Sequence, residues 1–588
     1  MAQASSPLAL GLPLCFAFAW PEGVRPGAEP AAGFPPRGRA LGKSASPALH
    51  HNFWVLTGGG PRFRNRFHDH IGDYPGDMPF RHTPPESSAR AARFGMKVAR
   101  AEIPAGIGEL LTQGGDERIW CAAATGRNRY GVGPLPASGE IWLSSSTASG
   151  VSEKAFSAVR SALVRLTPSG DGNGGQEAVF EIVRQRLHGL YGAPGCEVVL
   201  APSGTEAELL LVALAVSLMP GPFTNIVIAP TETGSGIVRA AGGAWFLDST
   251  SLGASVRKGD KLPGLEAVDI EVAAVEIRTE EGGRRPAGDI DAEVHGIADK
   301  ALATGRSIIV HLLDTSKTGL SGFSREAARA LARKWPERVL VAVDACQLRC
   351  GSDTLRRDLT EGFVTLVSGS KFAAGPPFSG ALLVPEEIVA RLSRSRIELA
   401  GLGCFSALTD WPARLRPVMA ASLAHFTNLG LGLRWIAALD ALEGYEATDA
   451  TIRTAIAERF ERETMLRIER TTRMAAVDGH GAGSGDRTIV PFLLLDQDGR
   501  PADMASTRRI HGRLRMPEAG PVIHIGQPVA LGRSNPLRVC ASASHFVDIA
   551  ARHVQGEDFN SAFAPLLNDL DALFDKLDTI LALHEDRG

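Results

Sequence analysis

The chain has 588 residues, 62 Lys and Arg against 65 Asp and Glu, a formal charge of −3, and 44% apolar residues. The near balance of charge argues against a nucleic-acid-binding surface as the main function, and the apolar content against wholesale disorder. No apolar run approaches the ~18 residues of a membrane span, and the length implies more than one domain.

Seven scattered cysteines with no CxxC pair exclude a disulfide framework and point to a reduced, cytoplasmic setting. Only ten of the 62 basic residues are lysines, so a lysine in an unusual place carries information. Residues 7–20 are apolar, but a basic segment before them and a small-residue cleavage site after them are missing, so export is not expected. From Trp20 to about Pro136 the chain is rich in Pro, Gly and Arg, with little periodicity. His68, Asp69, His70 and Asp73 cluster there. Their irregular spacing favours a solvated loop with arginine–carboxylate pairs over a metal centre. Residues 1–137 read as an N-terminal extension of unknown role.

From residue 140 the pattern changes. EIWLSS (140–145) reads as a strand, 152–166 as a helix capped by Ser152, and 176–192 as a second amphipathic helix. Eight short apolar runs follow, at 196–201, 225–229, 244–248, 272–277, 307–313, 338–344, 363–368 and 380–385, with longer and partly helical segments between them. Strands apolar on both faces that alternate with helices mean a mostly parallel sheet sandwiched by helices, an α/β domain expected over 138–410. The stretch 278–291 looks like an inserted hairpin or loop. A helix at 431–445, a strand at 488–496, a helix at 503–515 and a final helix at 558–584 read as a smaller α+β domain over 411–588.

Ligands of such sheets sit beyond the carboxyl ends of the strands, and four strand ends carry unusual residues. Ser203-Gly204-Thr205 opens a helix after a strand. Its free N–H groups and hydroxyls suit a phosphate, although a capped helix start has the same composition. Asp344 ends a Val/Ala strand, where a carboxylate either caps the turn or faces a protonated ring nitrogen. Lys371 follows a buried-looking strand, with Ser368 and Ser370 beside it. Apolar surroundings lower a lysine's pKa and make it nucleophilic, while a snorkelling surface lysine is the plain alternative. Arg538 lies in a late strand, placed either to grip a carboxylate or to form a surface ion pair. A lysine for an imine, a carboxylate for a pyridinium, donors for a phosphate and an arginine for a substrate carboxylate are together what pyridoxal phosphate and an amino acid require.

In order and wording these segments resemble the fold-type-I pyridoxal-phosphate enzymes, and most closely the class-V aminotransferase and cysteine desulfurase group, over roughly residues 140–560. The words are Ser203-Gly204-Thr205-Glu206, Val343-Asp344-Ala345-Cys346-Gln347, Ser368-Gly369-Ser370-Lys371 with Gly375-Pro376 after it, and Leu537-Arg538-Val539-Cys540. The resemblance implies that Lys371 carries the cofactor, Asp344 holds its pyridine nitrogen and Gln347 its phenolic oxygen. It gives Ser203, Gly204, Thr205, Ser368 and Ser370 to the phosphate, and Arg538, with Ser145 nearby, to the substrate. It also implies a homodimer. Where the family has a histidine or another ring over the cofactor, this chain has Thr233, which neither stacks nor acts as an imidazole.

The family's desulfurase nucleophile is a cysteine shortly before the arginine strand, and residues 470–535 contain none. The expected activity is therefore that of an aminotransferase or a bond-cleaving lyase on an amino acid, with a desulfurase-like C–S lyase as the alternative. A non-catalytic binding protein of the same fold and a metal enzyme built on His68, Asp69 and His70 are the competing classes. Lys317, in HLLDTSKTGLSG (311–322), lies on a loop where it could reach the pocket, although loop lysines are more often solvated.

Overall fold

The computed structural model describes residues 103–166, 174–395, 397, 399–477 and 486–585. The apolar segment at 7–20 and the histidine cluster at 68–73 lie outside the described residues. In chain order the elements are α1 (Ile103–Leu111), β1 (Ile141–Leu143), α2 (Glu153–Leu166), α3 (Gly174–Tyr191), β2 (Glu197–Ala201), α4 (Gly204–Leu218), β3 (Phe223–Ile228), α5 (Ile237–Ala241) and β4 (Ile270–Val275). Next come α6 (Ala287–Ala303), β5 (Ser307–Leu313), α7 (Arg325–Lys334), β6 (Val339–Ala345), α8 (Ser352–Thr360), β7 (Val364–Ser368), β8 (Gly380–Val384) and α9 (Glu386–Leu392). After these are α10 (Arg416–Met419), α11 (Leu429–Ala447), α12 (Ala450–Glu469), β9 (Met474–Ala476) and β10 (Ile489–Leu494). The last are α13 (Met504–Leu514), β11 (Ile523–Ile525), β12 (Leu537–Cys540), α14 (Ala543–Val554) and α15 (Phe559–Glu585).

Seven strands form one sheet in the order β2-β8-β7-β6-β5-β3-β4. Strands β7, β6, β5, β3 and β4 pair in parallel, while β8 runs antiparallel to both β7 and β2. Period-2 alternation divides each strand between two cores. Ile308, Val310 and Leu312 of β5 face one side with Val339, Val341 and Val343 of β6, whereas Ile309, Leu340 and Ala342 face the other. The first core is closed by α2, α3, α6, α7, α8 and α11. The second is closed by α4, whose residues from Glu206 to Ala215 are all buried. This covering of both faces is why the strands read as continuous apolar runs.

A second layer, built on the antiparallel sheet β12-β10-β9, carries its own core with α12, α13, α14 and α15. Strand β1 comes early in the chain but pairs in parallel with β11, Ile141 against Ile523. The run at 244–248 is not a strand. Trp245 and Phe246 pack against α4, and Ala244 makes only an isolated bridge to Lys261. Its apolar character reflects burial in the core under α4, and its main chain pairs with the loop that follows, the Trp245 amide donating to the Asp260 carbonyl at 2.9 Å. In the stretch 278–291, Arg278 and Arg284 bridge as a short hairpin, and α6 then begins at Ala287.

Candidate active site

The carboxyl ends of β2, β3, β5, β6 and β7 lie along one edge of the sheet, and the loops leaving them supply the candidate residues. Ser203 caps α4, its hydroxyl accepting from the Glu206 amide at 3.4 Å. Gly380 opens β8 between Ala201 and Ser368. A Cβ on Gly380 would stand 2.7 Å from the Ser203 carbonyl carbon, so the missing side chain lets the Ser203 turn and the Ser368 turn flank one strand closely. A Cβ on Gly204 would stand 2.8 Å from Cys346 Sγ, which sets this helix start against the end of β6. Thr205 packs against the loop after β3, where a Cβ on Gly236 would reach its methyl group at 3.1 Å. The first amides of α4, with the hydroxyls of Ser203 and Thr205, thus form one donor cluster.

Asp344 and Gln347 come from the end of β6. Asp344 Oδ1 accepts from the Cys346 amide at 3.1 Å. Behind it, His311 of β5 is buried with Nε2 3.2 Å from Glu208 Oε1. Burial pulls the His311 imidazole down, but the Glu208 carboxylate, with help from Asp344, outweighs it and the net shift is upward. Burial pushes the Cys346 thiol far up, with the Asp344 charge adding and the Lys371 charge opposing. Gln347 Nε2 donates to the Ser146 carbonyl at 3.1 Å, while its buried Oε1 has no hydrogen-bond partner among the described residues.

Lys371 lies in a tight turn after β7. The Gly375 amide donates to the Gly369 carbonyl at 2.9 Å, the Ala374 amide to the Lys371 carbonyl at 3.0 Å, and the Ser149 hydroxyl to that same carbonyl at 3.2 Å. Gly369 and Gly375 lie so close to α11 that a Cβ on either would come within 2.7 Å of Ala438 Cβ. Buried Arg434 of α11 clamps the next turn, donating from Nε to the Phe378 carbonyl at 2.7 Å. The hydroxyls of Ser368 and Ser370 stand 2.7 Å apart.

Arg538, fully buried on β12, has only neutral partners among the described residues. Nε donates to Ser146 Oγ at 3.1 Å, Nη2 to Thr147 Oγ1 at 2.9 Å, and Nη1 to the Gln527 carbonyl. Burial pulls its guanidinium down to about 10. Ser145 is engaged elsewhere: its hydroxyl accepts from Arg349 Nη2 at 2.8 Å and donates to the Ala541 carbonyl. The neighbouring Ser146 and Thr147 are the ones that touch Arg538. Thr233 turns its hydroxyl back to the Ala229 carbonyl at 3.2 Å.

Sequence reasoning missed the group that fixes the adjoining loop. Glu232, 1% exposed, pairs with Arg278 Nε at 2.7 Å and accepts from the hydroxyls of Ser316 (2.9 Å) and Thr318. Its main-chain carbonyl accepts from the Lys317 amide at 2.9 Å. Burial pushes the Lys317 ammonium down to about 7, and the charges of Arg538 and Lys371 act in the same direction against Glu232 and Asp344. Arg118, ahead of β1, also reaches the site. It pairs with Asp116 at 2.6 Å, approaches Ser203 Oγ at 3.4 Å, and lies over the rings of Phe246 and Phe378. A polar residue inside an apolar strand (His311) was the available signal.

No protein-family model matches the chain, and no curated protein matches it. Among solved structures, it is similar to an alanine–glyoxylate aminotransferase from Nostoc sp., at 15% identity and TM-score 0.48 over 76% of this chain and 97% of that one. A cysteine desulfurase from Thermococcus onnurineus matches at 14% identity and TM-score 0.45, over 71% of this chain and 95% of that one. The cysteine desulfurase CsdA from Escherichia coli matches at 15% identity and TM-score 0.46, over 75% and 94%. No helix among the described residues is long and apolar enough to cross a membrane.

Proposed function

We propose that the chain is a pyridoxal-phosphate-dependent enzyme acting on an amino acid, with transamination or lyase chemistry at Lys371. The observation that carries this reading is the gathering, at one edge of the sheet, of a lysine turn, a strand-end aspartate and a helix N-terminus lined by hydroxyls, joined through Ser146 to a buried arginine of β12 that has no counter-ion among the described residues. The donor set suits the cofactor. Ser203 and Ser368 flank Gly380, whose missing Cβ lets their two turns lie close, with Thr205 in the first turn of α4 and Ser370 hydrogen-bonded to Ser368. Gln347 Oε1, three residues after Asp344, is a buried acceptor with no hydrogen-bond partner among the described residues, so it can take a hydroxyl.

Lys371 would hold the cofactor through its amine, Asp344 and Gln347 would hold the ring, and the α4 start with the four hydroxyls would hold the phosphate. When bound, pyridoxal phosphate supplies an electron sink for bonds at the substrate Cα. The protein's residues do the rest. Asp344, with the His311–Glu208 pair behind it, would face the ring nitrogen. Arg538, anchored by Ser146, Thr147 and the Gln527 carbonyl, would grip the substrate carboxylate through a fork that no carboxylate among the described residues occupies. The Lys371 amine would also be the group that moves the proton at the substrate Cα. Thr233 offers neither a ring nor an imidazole, and no cysteine lies between 470 and 535, which favours this reading over desulfuration through a cysteine nucleophile.

The test is the visible spectrum of purified protein with and without Lys371→Ala. A band near roughly 410–430 nm that the variant lacks supports the assignment. Amino acids are then screened for keto-acid, ammonia or sulfide release. A parent protein with no band after addition of pyridoxal phosphate refutes the reading.

A further inference from the structure

Arg118 has no role in the reading above, yet its side chain ends at the start of α4. It lies in the segment ahead of β1, and that segment is built into the body of the protein. Ile107 and Leu111 of α1 pack in the first core. The turn after α1 is held by two side chains at the start of α11. Asn428 Nδ2 donates to the Gly114 carbonyl at 2.9 Å, and Arg434 donates from Nη1 to the Gln113 carbonyl at 2.5 Å and from Nη2 to the Gly114 carbonyl at 3.0 Å. Gly114 has φ +67°, and a Cβ there would overlap the Asn428 amide, so the turn requires glycine. Arg434 Nε also holds the Phe378 carbonyl at 2.7 Å. One buried arginine therefore fixes both the turn that leads to Arg118 and a residue whose ring Arg118 covers.

The guanidinium lies over the rings of Phe246 and Phe378, 5.2 and 5.1 Å from their centroids. One edge of the planar group is taken: Nε donates to Asp116 Oδ1 at 2.8 Å and Nη2 to Asp116 Oδ2 at 2.6 Å. The other edge, Nη1 with Nη2, is open. Nη1 has no hydrogen-bond partner among the described residues, and Nη2 also donates to Ser203 Oγ at 3.4 Å. Five donors in a fixed plane let a guanidinium clamped along one edge present two parallel N–H bonds along the other, the fork that suits a phosphate. The acid nearest in sequence, Glu206, is turned away, its Oε1 accepting from the Ser251 hydroxyl. Burial, with the Asp116 charge adding, pushes the Glu206 carboxyl up to about 8, so it adds no second negative charge there at neutral pH.

We propose that Arg118 holds the cofactor phosphate through this open edge, beside Ser203 and the first amides of α4. The inference rests on the cofactor reading above and adds a charged phosphate ligand that comes from outside the sheet. It also gives residues 112–118 a task. The clamped turn delivers Arg118 to Ser203, and Asp116 sets the plane of its guanidinium.

The test is titration of full-length apoprotein with pyridoxal phosphate and with pyridoxal, which has the same ring and aldehyde but no phosphate, followed by the visible band. Arg118→Met should lose about tenfold or more in affinity for pyridoxal phosphate while its affinity for pyridoxal stays within about threefold of the parent. Arg118→Lys keeps the charge beside Asp116 but cannot fill both edges, so it should show a smaller loss in the same direction. Unchanged affinity for pyridoxal phosphate in Arg118→Met overturns the proposal. An equal loss for both compounds also overturns it, because it marks a residue that only supports the fold. If Arg118→Met does not fold, Arg118→Lys decides: an affinity ratio between the two compounds equal to that of the parent overturns the proposal. A parent protein that binds neither compound refutes the cofactor reading, and titration with inorganic phosphate, followed by its ³¹P resonance, then judges Arg118 alone. Phosphate bound by the parent and weakened in Arg118→Met leaves Arg118 standing as an anion ligand, and no such difference overturns it.

Discussion

Replacing Arg538 by methionine separates a binding role from a structural one. The side chain is fully buried and makes three hydrogen bonds, all to neutral oxygens. Losing them costs stability by about 1 kcal/mol each, but removing a buried guanidinium that has no counter-ion offsets much of that loss. The net change in folding stability should therefore stay within about 2 kcal/mol. Carboxylate binding should suffer more. Two parallel charge-assisted bonds, at about 1.5–3 kcal/mol each, give a loss of about 3–6 kcal/mol, or roughly 10²- to 10⁴-fold in affinity. Calorimetry with a simple carboxylate measures the affinity, and a thermal melt measures the stability. Affinity within threefold of the parent refutes the assignment of Arg538. A collapse of the melting temperature with no separable binding defect refutes the claim that its bonds are chiefly a mount for a ligand.

The other predictions concern the supports of the site. Ser146→Ala removes the Nε anchor of Arg538 and should weaken carboxylate binding about fivefold, the equivalent of one ordinary hydrogen bond, with little change in melting. Glu232→Ala leaves Arg278 as an uncompensated buried charge and should destabilise the fold by about 3–5 kcal/mol, measured by denaturant titration. Asp410 is buried, and burial pushes its carboxyl up to about 7. The unfolded chain ionises at lower pH, so this group stabilises least above its folded pKa, and parent stability falls as pH rises from about 4 to about 7. The stability of Asp410→Asn relative to the parent should accordingly rise by about 1.4 kcal/mol per pH unit across that window and then level off. A flat difference across the window would contradict the assignment.

Much of the sheet was legible because its strands are buried on both faces. Runs such as 307–313 and 338–344 have no polar face, and the structure places both in the parallel centre of the sheet. The run at 244–248 misled for the same reason. Trp245 and Phe246 are buried in the core under α4 without joining the sheet, and composition cannot tell that from a strand. The pairing of β1 with β11 spans nearly four hundred residues and leaves no local trace. At the site, Lys371, Asp344 and Ser203 stood out because each interrupts or ends an apolar strand. Glu232 and Arg278 did not. Their importance comes from meeting across two loops, and neither residue is unusual where it stands in the sequence. Lys317 was visible as a rare lysine, but its surroundings come from four separate elements that only folding brings together. Around Ser145 the sequence could not divide the work, which the fold assigns by partner: Ser146 and Thr147 to Arg538, and Ser145 to Arg349.

The central claim is that Lys371, and neither Lys317 nor any other lysine, holds the cofactor. Borohydride reduction of the protein reconstituted with pyridoxal phosphate fixes the adduct in place, and peptide mapping by mass spectrometry locates it. The account predicts one adduct, on the peptide containing Lys371, absent in Lys371→Ala. An adduct on the Lys317 peptide in the parent protein, or none above the level of exposed lysines, would contradict it.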